Sequence, residues 1–292
     1  MRSIDALVIG GGPAGLTAAL WLARNRCRTL LADRGEPRNR WAGSSFGYLG
    51  FDGEPPGALL RAGRRDLAAY AEAEIAEVGV RSLHRADGGF EAELDDRRVR
   101  AAAVVVATGV VDVIPPLPGL GEHYGTQVFV CPLCDGYEFR DRDVAVLGAG
   151  GNAGAFAREL LRWSTHVTVI PMGDETPNDA IEPPVRTAPA PAAAVAAGDR
   201  GLEALVLRDG QRVECDAVFF RSEVAGVTDL AVHLGCELTD EGLLRVDDDG
   251  RTNVDCVYAA GDCTPGPHLV QIAAAEGARA GLHCAQQLSA RR

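Results

Sequence analysis

The segment Ile4-Asp5-Ala6-Leu7-Val8-Ile9 runs directly into Gly10-Gly11-Gly12-Pro13-Ala14-Gly15. The first six residues read as a short apolar strand. A helical pattern, LTAALWLARN, follows the glycines, and RTLLAD then reads as a second strand that ends on Asp33. Strand, Gly10-x-Gly12-x-x-Gly15, helix, strand and a terminal carboxylate form the unit that binds dinucleotides. The glycines allow a tight turn, a close approach of backbone to a pyrophosphate and close packing of helix on strand. The helix start offers amide donors to the phosphates, and Asp33 is placed to accept the ribose hydroxyls.

Working outward, the same unit recurs. Val144-Ala145-Val146-Leu147 is a strand, Gly148-Ala149-Gly150-Gly151-Asn152-Ala153-Gly154 a turn, AFARELLRW a helix and HVTVI the next strand. Two such units in 292 residues predict an α/β chain with two Rossmann-like nucleotide-binding domains. Between them lie the strand VVVATG, with Ala107-Thr108-Gly109, and a proline cluster at 115–118 that suits an interdomain hinge. A second crossing is expected around LLRVDDDGRTN. After it, Val257-Tyr258-Ala259 leads to Gly261-Asp262 and the helical run IAAAEGARAGLHCAQQL. The tail thus reads as a return to the first domain. PPVRTAPAPAAAVAAG (183–198) is biased toward alanine and proline and reads as an irregular connection.

Composition narrows the function. A hydrophobic fraction of 47% with 24% charged residues is that of a globular protein, and no apolar run has the length of a bilayer span. The N-terminal run lacks a spacer and cleavage site of secretory type, so a cytoplasmic location is expected. The net charge is −12 and the chain has no lysine, which argues against a nucleic-acid partner. Of eight cysteines, Cys27, Cys215, Cys236, Cys256 and Cys284 read as buried apolar residues. Cys131 and Cys134, in VCPLCDGY (130–137), stand apart. A CxxC pair can hold zinc, act as a staple or carry electrons. Zinc needs four ligands, and no second CxxC or histidine pair accompanies this one, so no metal site is expected. A thiolate that attacks a disulfide sulfur is favoured where the first cysteine opens a helix, and a partly buried carboxyl next to it moves the proton.

Taken in order, GGGPAG, Ala107-Thr108-Gly109, CPLCDG (131–136), GxGxxA (148–153) and TNVDCVYAAGD (252–262) resemble the low-molecular-weight thioredoxin reductases over essentially the whole chain. The resemblance implies an FAD domain at 1–114 and 250–292, with an inserted NAD(P)-like domain at 115–249 that carries the redox cysteines. It implies FAD held at Gly10, Gly12, Pro13, Ala14, Gly15 and Asp33, with Thr108, Gly109, Gly261, Asp262, Leu269 and Val270 also at the cofactor. Cys134 would be the thiol beside the flavin, Cys131 the exchanging thiol and Asp135 the acid/base. A homodimer is implied, acting on a small-molecule dithiol or disulfide or on a thioredoxin-like protein.

Departures from the family pattern bear on electron flow. The arginines that clamp the NADPH 2′-phosphate are replaced by Pro171-Met172-Gly173-Asp174-Glu175-Thr176-Pro177, and no carboxylate ends the strand to take an NADH ribose. The family's Gly-x-x-Pro-Asn is replaced by FFRSEVAGVTD (219–229), and its Arg-Gln pair beside the flavin falls on His268-Leu269. His268 reads either as a neighbour of the flavin or as a loop residue before a helix. NAD(P)H is therefore in question as a cofactor. The chain also resembles the gliotoxin- and holomycin-type dithiol oxidases, which pass electrons from a dithiol through FAD to oxygen, in GEPRN (35–39), LLRWSTHVTVI (160–170) and Tyr137-Glu138. Several of these have histidine where this chain has Asp135. A dithiol oxidase is the preferred reading. An NAD(P)H-dependent or ferredoxin-fed thioredoxin reductase stands as the alternative.

Overall fold

The computed structural model describes residues 1–148, 153–173, 181–222 and 224–291. Its contacts form two compact units. One comprises Met1–Arg40, Gly47–Val111 and Val224–Arg292, and the other Trp41–Phe46 and Asp112–Glu223. The chain returns to the first unit at Val224, whereas the sequence pattern places the return at residue 250. Ala231, Leu234, Cys236, Leu244 and Val254 are buried in the first unit's core. These apolar residues are too sparse to set up a period, so in the sequence the conspicuous acidic turn marks the boundary instead.

In the first unit, β1 (Arg2–Ile9) leads through α1 (Pro13–Arg24) to β2 (Thr29–Ala32). The strands pair in parallel, with Ile9 opposite Ala32. From Ala6 to Ile9, β1 is buried on both faces, as expected of a central parallel strand. Ala73–Ala76 flanks β2, and Arg98–Val106 flanks β1 on its other side. The second half of Arg98–Val106 pairs in parallel with Val257–Ala259. Its first half pairs antiparallel with Gly89–Leu94, which continues as a hairpin to Val80–Ala86. The strand ends Ile9, Val106 and Ala259 therefore lie side by side, and each runs into one of the glycine motifs read from the sequence.

The long helix Val270–Ala290 packs on α1 through small residues. A Cβ on Gly277 would overlap the Ala14 carbonyl oxygen, and one on Gly281 would collide with the backbone of Ala18. Close-packed backbones of this kind leave no room for even one methyl group.

The second unit has a five-stranded parallel sheet in the order Arg186–Thr187, Val167–Pro171, Val144–Gly148, Ala217–Phe220, Val128–Phe129. A separate antiparallel sheet holds Ala192–Gly198, Gly201–Leu207 and Arg212–Glu214. Residues 183–198, expected to be irregular, therefore contribute two strands. Ala188 and Ala192 are buried in a cluster with Leu205 and Phe220. Alanine carries little strand preference, so this pairing comes from burial and leaves no alternating pattern to read. Among the described residues no helix is long and apolar enough to cross a membrane.

Candidate functional site

Cys131 and Cys134 are joined as a disulfide with their Cα atoms 5.3 Å apart. Cys131 is extended (φ −124°, ψ 100°) and caps a single helical turn, Pro132–Asp135, with Pro132 at its first position. Proline suits that place because its missing N–H would have had no helical partner. The Cys134 amide donates to Cys131 Sγ at 3.1 Å, and the Asp135 amide donates to the Cys131 carbonyl at 3.2 Å. Behind the turn stands Trp163. A Cβ on Gly136 would lie 2.8 Å from its indole ring, so the residue after Asp135 must be small for the turn to seat. Phe139 packs on Phe129, with ring centroids 5.3 Å apart.

Asp135 is half-buried, and its carboxyl is pushed up to about 7, first by burial and then by the neighbouring charge of Glu138. Glu138 Oε2 is buried without a hydrogen-bond partner among the described residues. Leu133 and Tyr137 flank the disulfide with 62% and 61% of their surface exposed. The turn thus combines a sulfur that receives an amide N–H with a carboxyl that is a proton donor near neutral pH, beside an apolar rim. The other thiols differ. Burial pushes Cys215 up to about 12 and Cys263 to about 11, and raises Cys284 as well. Such thiols are not nucleophiles at neutral pH. Among the described residues no group of three or more His, Cys, Asp or Glu is arranged to hold a metal.

In the first unit the glycine turn is shaped by close approach. Gly10 has φ 104°, and a Cβ there would overlap the Ala107 carbonyl oxygen; one on Gly15 would overlap the Gly10 carbonyl oxygen. Gly12 has nothing within 4 Å of its would-be Cβ, and no side chain caps α1 above it. Pro13, Ala14 and Gly15 open the helix. The result is a bare helix N-terminus facing free space, which suits a pyrophosphate. Asp33 lies against Gly11 at the end of β2, as expected, but it is already engaged: it pairs with Arg64 and accepts the Gly35 amide at 3.2 Å.

The neighbouring strand ends complete the cradle. Thr108 donates to the Val227 carbonyl at 2.6 Å, and Gly109 turns with φ 67°. Gly261 turns with φ 81°, gives its amide to Glu276 at 2.9 Å, and would place a Cβ 2.8 Å from that of Ala14. Asp262 is bound by Arg38 at 2.8 Å, and the same Arg38 nitrogen lies 3.3 Å from Nδ1 of His268. Leu269 caps the long helix and Val270 begins it. The twelve residues read as cofactor-binding all fall in the first unit, and Cys131, Cys134 and Asp135 fall in the second.

Sequence reasoning misses Arg38, Arg64, Glu276 and Trp163. Each acts through a contact with a residue distant in the chain, so no local spacing marks it. GEPRN, which contains Arg38, stands out in the sequence only as a point of resemblance. In the second unit, the glycine-turn residues 149–152 and the acidic stretch 174–177 lie outside the described residues. The described end of the strand Val167–Pro171 carries no charge at Pro171, Met172 or Gly173, and the Met172 amide donates to the Gly148 carbonyl at 2.8 Å.

The family model for pyridine nucleotide-disulphide oxidoreductases matches residues 4–277. The chain belongs to that family. It is 31% identical to the thioredoxin reductase tcpT of Claviceps purpurea, over 89% of this chain and 86% of that one. Among solved structures, HlmI is similar with a TM-score of 0.91 at 33% identity, covering 99% of this chain and 93% of that one. A putative thioredoxin reductase TrxB from Bacillus anthracis gives a TM-score of 0.92 at 29% identity, covering 99% of each chain. Some curated relatives are much longer. The chain spans 37% of a probable thioredoxin reductase from Arthroderma benhamiae and 57% of an alkyl hydroperoxide reductase component from Pseudomonas putida. FAD is the cofactor of this family, and the open cradle at Gly12, closed on its sides by Gly10, Gly15 and Gly261, fits it.

Proposed function

We propose that the chain is an FAD-dependent dithiol/disulfide oxidoreductase of thioredoxin-reductase type that works as a dithiol oxidase. The observation that carries this reading is the Cys131–Cys134 disulfide beside a carboxyl with a value of about 7. A thiolate of the substrate dithiol attacks Cys131 Sγ, the S–S bond breaks, and Cys134 leaves with the electron pair. Asp135, whose carboxyl is pushed up to about 7 and so keeps a proton-bearing form near neutral pH, directly follows Cys134 in the chain and can supply the proton that neutralises the departing sulfur. The substrate's second thiolate then attacks its own sulfur in the mixed disulfide and displaces Cys131. The Cys134 amide that donates to Cys131 Sγ stabilises the thiolate so released. The substrate has become a disulfide, and two electrons reside on the cysteine pair. Held at the Gly10–Gly15 turn, FAD would supply the two-electron acceptor for the pair, with oxygen as the proposed final acceptor.

The uncharged strand end at 171–173 supports this direction, because a 2′-phosphate clamp needs arginine there. The parallel sheet of the second unit supports the alternative, a reductase fed by NAD(P)H, with ferredoxin as a further donor for the same cysteines. The partner is a small-molecule dithiol or a thioredoxin-like protein, and the working form is a homodimer. One anaerobic experiment decides the direction. Oxidised, FAD-loaded protein is mixed with dithiothreitol, NADPH or NADH while flavin absorbance is followed. Bleaching by the dithiol, then peroxide on admitting air, is expected; rapid bleaching by NADPH would overturn the oxidase reading.

A further inference from the structure

Glu138 follows the redox cysteines and has no part in the exchange described above. Asp135 closes the helical turn Pro132–Asp135 and stands as N-cap of the 3₁₀ turn Gly136–Phe139, which contains Glu138. A 3₁₀ turn has three residues per revolution, so side chains at i and i+3 lie one above the other and the two carboxyls share a face. An aspartate at an N-cap ordinarily accepts an amide of the turn that it begins. The Asp135 carboxyl caps no amide of this turn. Glu138 Oε2 is buried and has no hydrogen-bond partner among the described residues. Two neighbouring carboxylates, half-buried and without amide donors, would be poorly solvated and would repel each other.

The cations near the turn are directed to other partners. Arg140 lies over the Tyr137 ring, 4.5 Å from its centroid, and donates to the Tyr137 carbonyl at 3.0 Å. Arg162 lies over the Trp163 ring at 5.6 Å, and Arg142 donates to Asp216 at 3.5 Å. Asp141 is exposed. Behind the turn, Phe139 and Trp163 pack with Phe129, Phe156 and Leu160, none of which titrates. Cys131 and Cys134 are joined and carry no proton until exchange opens them. A single proton resolves the conflict between the carboxyls. An O–H on Asp135 gives Glu138 Oε2 the donor it lacks, and the pair then bears one negative charge in place of two. The upward displacement of the Asp135 carboxyl, in which the Glu138 charge is the second cause after burial, agrees with this.

We infer that Glu138 is a positioning residue for the exchange, accepting the Asp135 O–H at Oε2 so that the carboxyl pair keeps one proton next to the cysteines in the chain. The inference rests on the thiol–disulfide exchange proposed above and adds the group that holds its proton in place. When Asp135 passes the proton to the departing Cys134 sulfur, both carboxyls become anionic. Their repulsion favours recovery of a proton from the substrate's second S–H. That thiol thereby becomes the thiolate that attacks the mixed disulfide and displaces Cys131. The proton lost in the first step is regained in the second, and the pair is ready for another turnover.

The test is the pH profile of anaerobic flavin bleaching by dithiothreitol in wild type, Glu138→Gln, Glu138→Met and Glu138→Asp, all FAD-loaded. Rates are expressed per dithiothreitol thiolate, so that the reagent's own titration drops out. Wild type should lose rate as pH rises through about 7. Without the Glu138 charge, the alkaline limb is expected to move down by about one pH unit in Glu138→Gln and Glu138→Met. The rate then falls about tenfold at pH 8, and the loss fades toward about pH 5, where Asp135 is protonated in either case. Glu138→Asp keeps the charge and should restore part of the shift. A packing role alone would change the rate equally at every pH. In an Asp135→Asn background, Glu138→Gln should cause no further loss. Flavin content and melting temperature identify the variants that fold, and either Gln or Met suffices. A limb unmoved in the folded variants, with wild type bleached normally, would overturn the inference alone. A wild type that dithiothreitol does not bleach would overturn the exchange reading together with it.

Discussion

At Gly15, the third glycine of the first turn, a Cβ would overlap the Gly10 carbonyl oxygen; at the matching place in the second unit stands Ala153, and there it is Gly148 whose would-be Cβ falls 2.6 Å from the Ala153 methyl. The strands that follow differ as well. β2 runs into Asp33, locked to Arg64 and pressed against Gly11, whereas Val167–Pro171 runs into Met172 and Gly173. The first unit keeps every steric condition for a backbone-bound pyrophosphate. The second keeps the sheet and helix, but what it presents is a disulfide on a one-turn helix. The same βαβ plan thus stands in both units, with a bare helix N-terminus in the first and a cysteine pair on the turn that precedes it in the second.

The strongest way to break this comparison is to remove a sulfur. Cys131→Ser or Cys134→Ser is expected to slow dithiol-driven bleaching of the flavin by about a thousandfold or more, since the other six cysteines are buried. Flavin content and melting temperature should stay near wild type. Stopped-flow absorbance after mixing with dithiol under argon measures the loss, and near-normal bleaching would end the view of the second unit as a redox mount.

Next come the two glycines. Gly15→Ala should destabilise the chain by about 3 kcal/mol or more and yield flavin-free protein, because the clash is with backbone that cannot move aside. Gly148→Ala should cost about 1–3 kcal/mol in thermal or urea unfolding but leave the flavin-to-protein ratio unchanged. Equal flavin loss in both would show that the second turn matters to the cofactor after all.

A subtler effect concerns Asp135. With its carboxyl near 7, the proton-donating form is lost as pH rises through that value. The exchange rate should therefore decline on the alkaline side, and Asp135→Asn should lower it about a hundredfold while removing that limb. Stability has its own sign. Between its ordinary carboxylate value near 4 and about 7 the folded state holds the proton that the unfolded state has released, so this group makes stability fall as pH rises across that window. Asp135→Asn should therefore raise the melting temperature at pH 8 and leave it unchanged at pH 3. The smallest signal is chemical labelling. A folded, reduced chain should expose two of its eight thiols to rapid alkylation, the other six being buried.

The parts of the fold that are legible in the sequence are those where a residue type is compelled by its immediate neighbours. Gly10 and Gly15 sit in a six-residue turn whose backbone leaves no room for a side chain, while Gly12 keeps the space before the helix open, and the Cys131/Cys134 spacing is set by a single helical turn. Val144–Gly148 and Val167–Pro171 are short buried runs rich in valine that announce a parallel sheet. The residues that escape notice depend on distant partners. Arg38 meets Asp262 and His268 from more than two hundred positions away, and Trp163 explains Gly136 only once the chain has folded back. Asp33 is legible as a strand-end carboxylate, but its engagement with Arg64 on another helix is not. The strands within 183–198 are hidden because alanine, proline and valine there give no alternation of polar and apolar faces.

The close fit of Gly277 and Gly281 against Ala14 and Ala18 sets an order of events at the ribosome. The turn at Gly10–Gly15 emerges well before the surface that α1 rests on, which is made more than two hundred and fifty residues later. Until residue 281 has left the exit tunnel, α1 has no partner for its small-residue face and Gly261 is not yet beside Ala14. The second unit, whose main segment spans Asp112–Glu223, is by then already synthesised and free to form. The cradle at Gly12 is thus expected to close only once the final helix is made, and a nascent chain stalled before that helix should carry its cysteine pair without flavin.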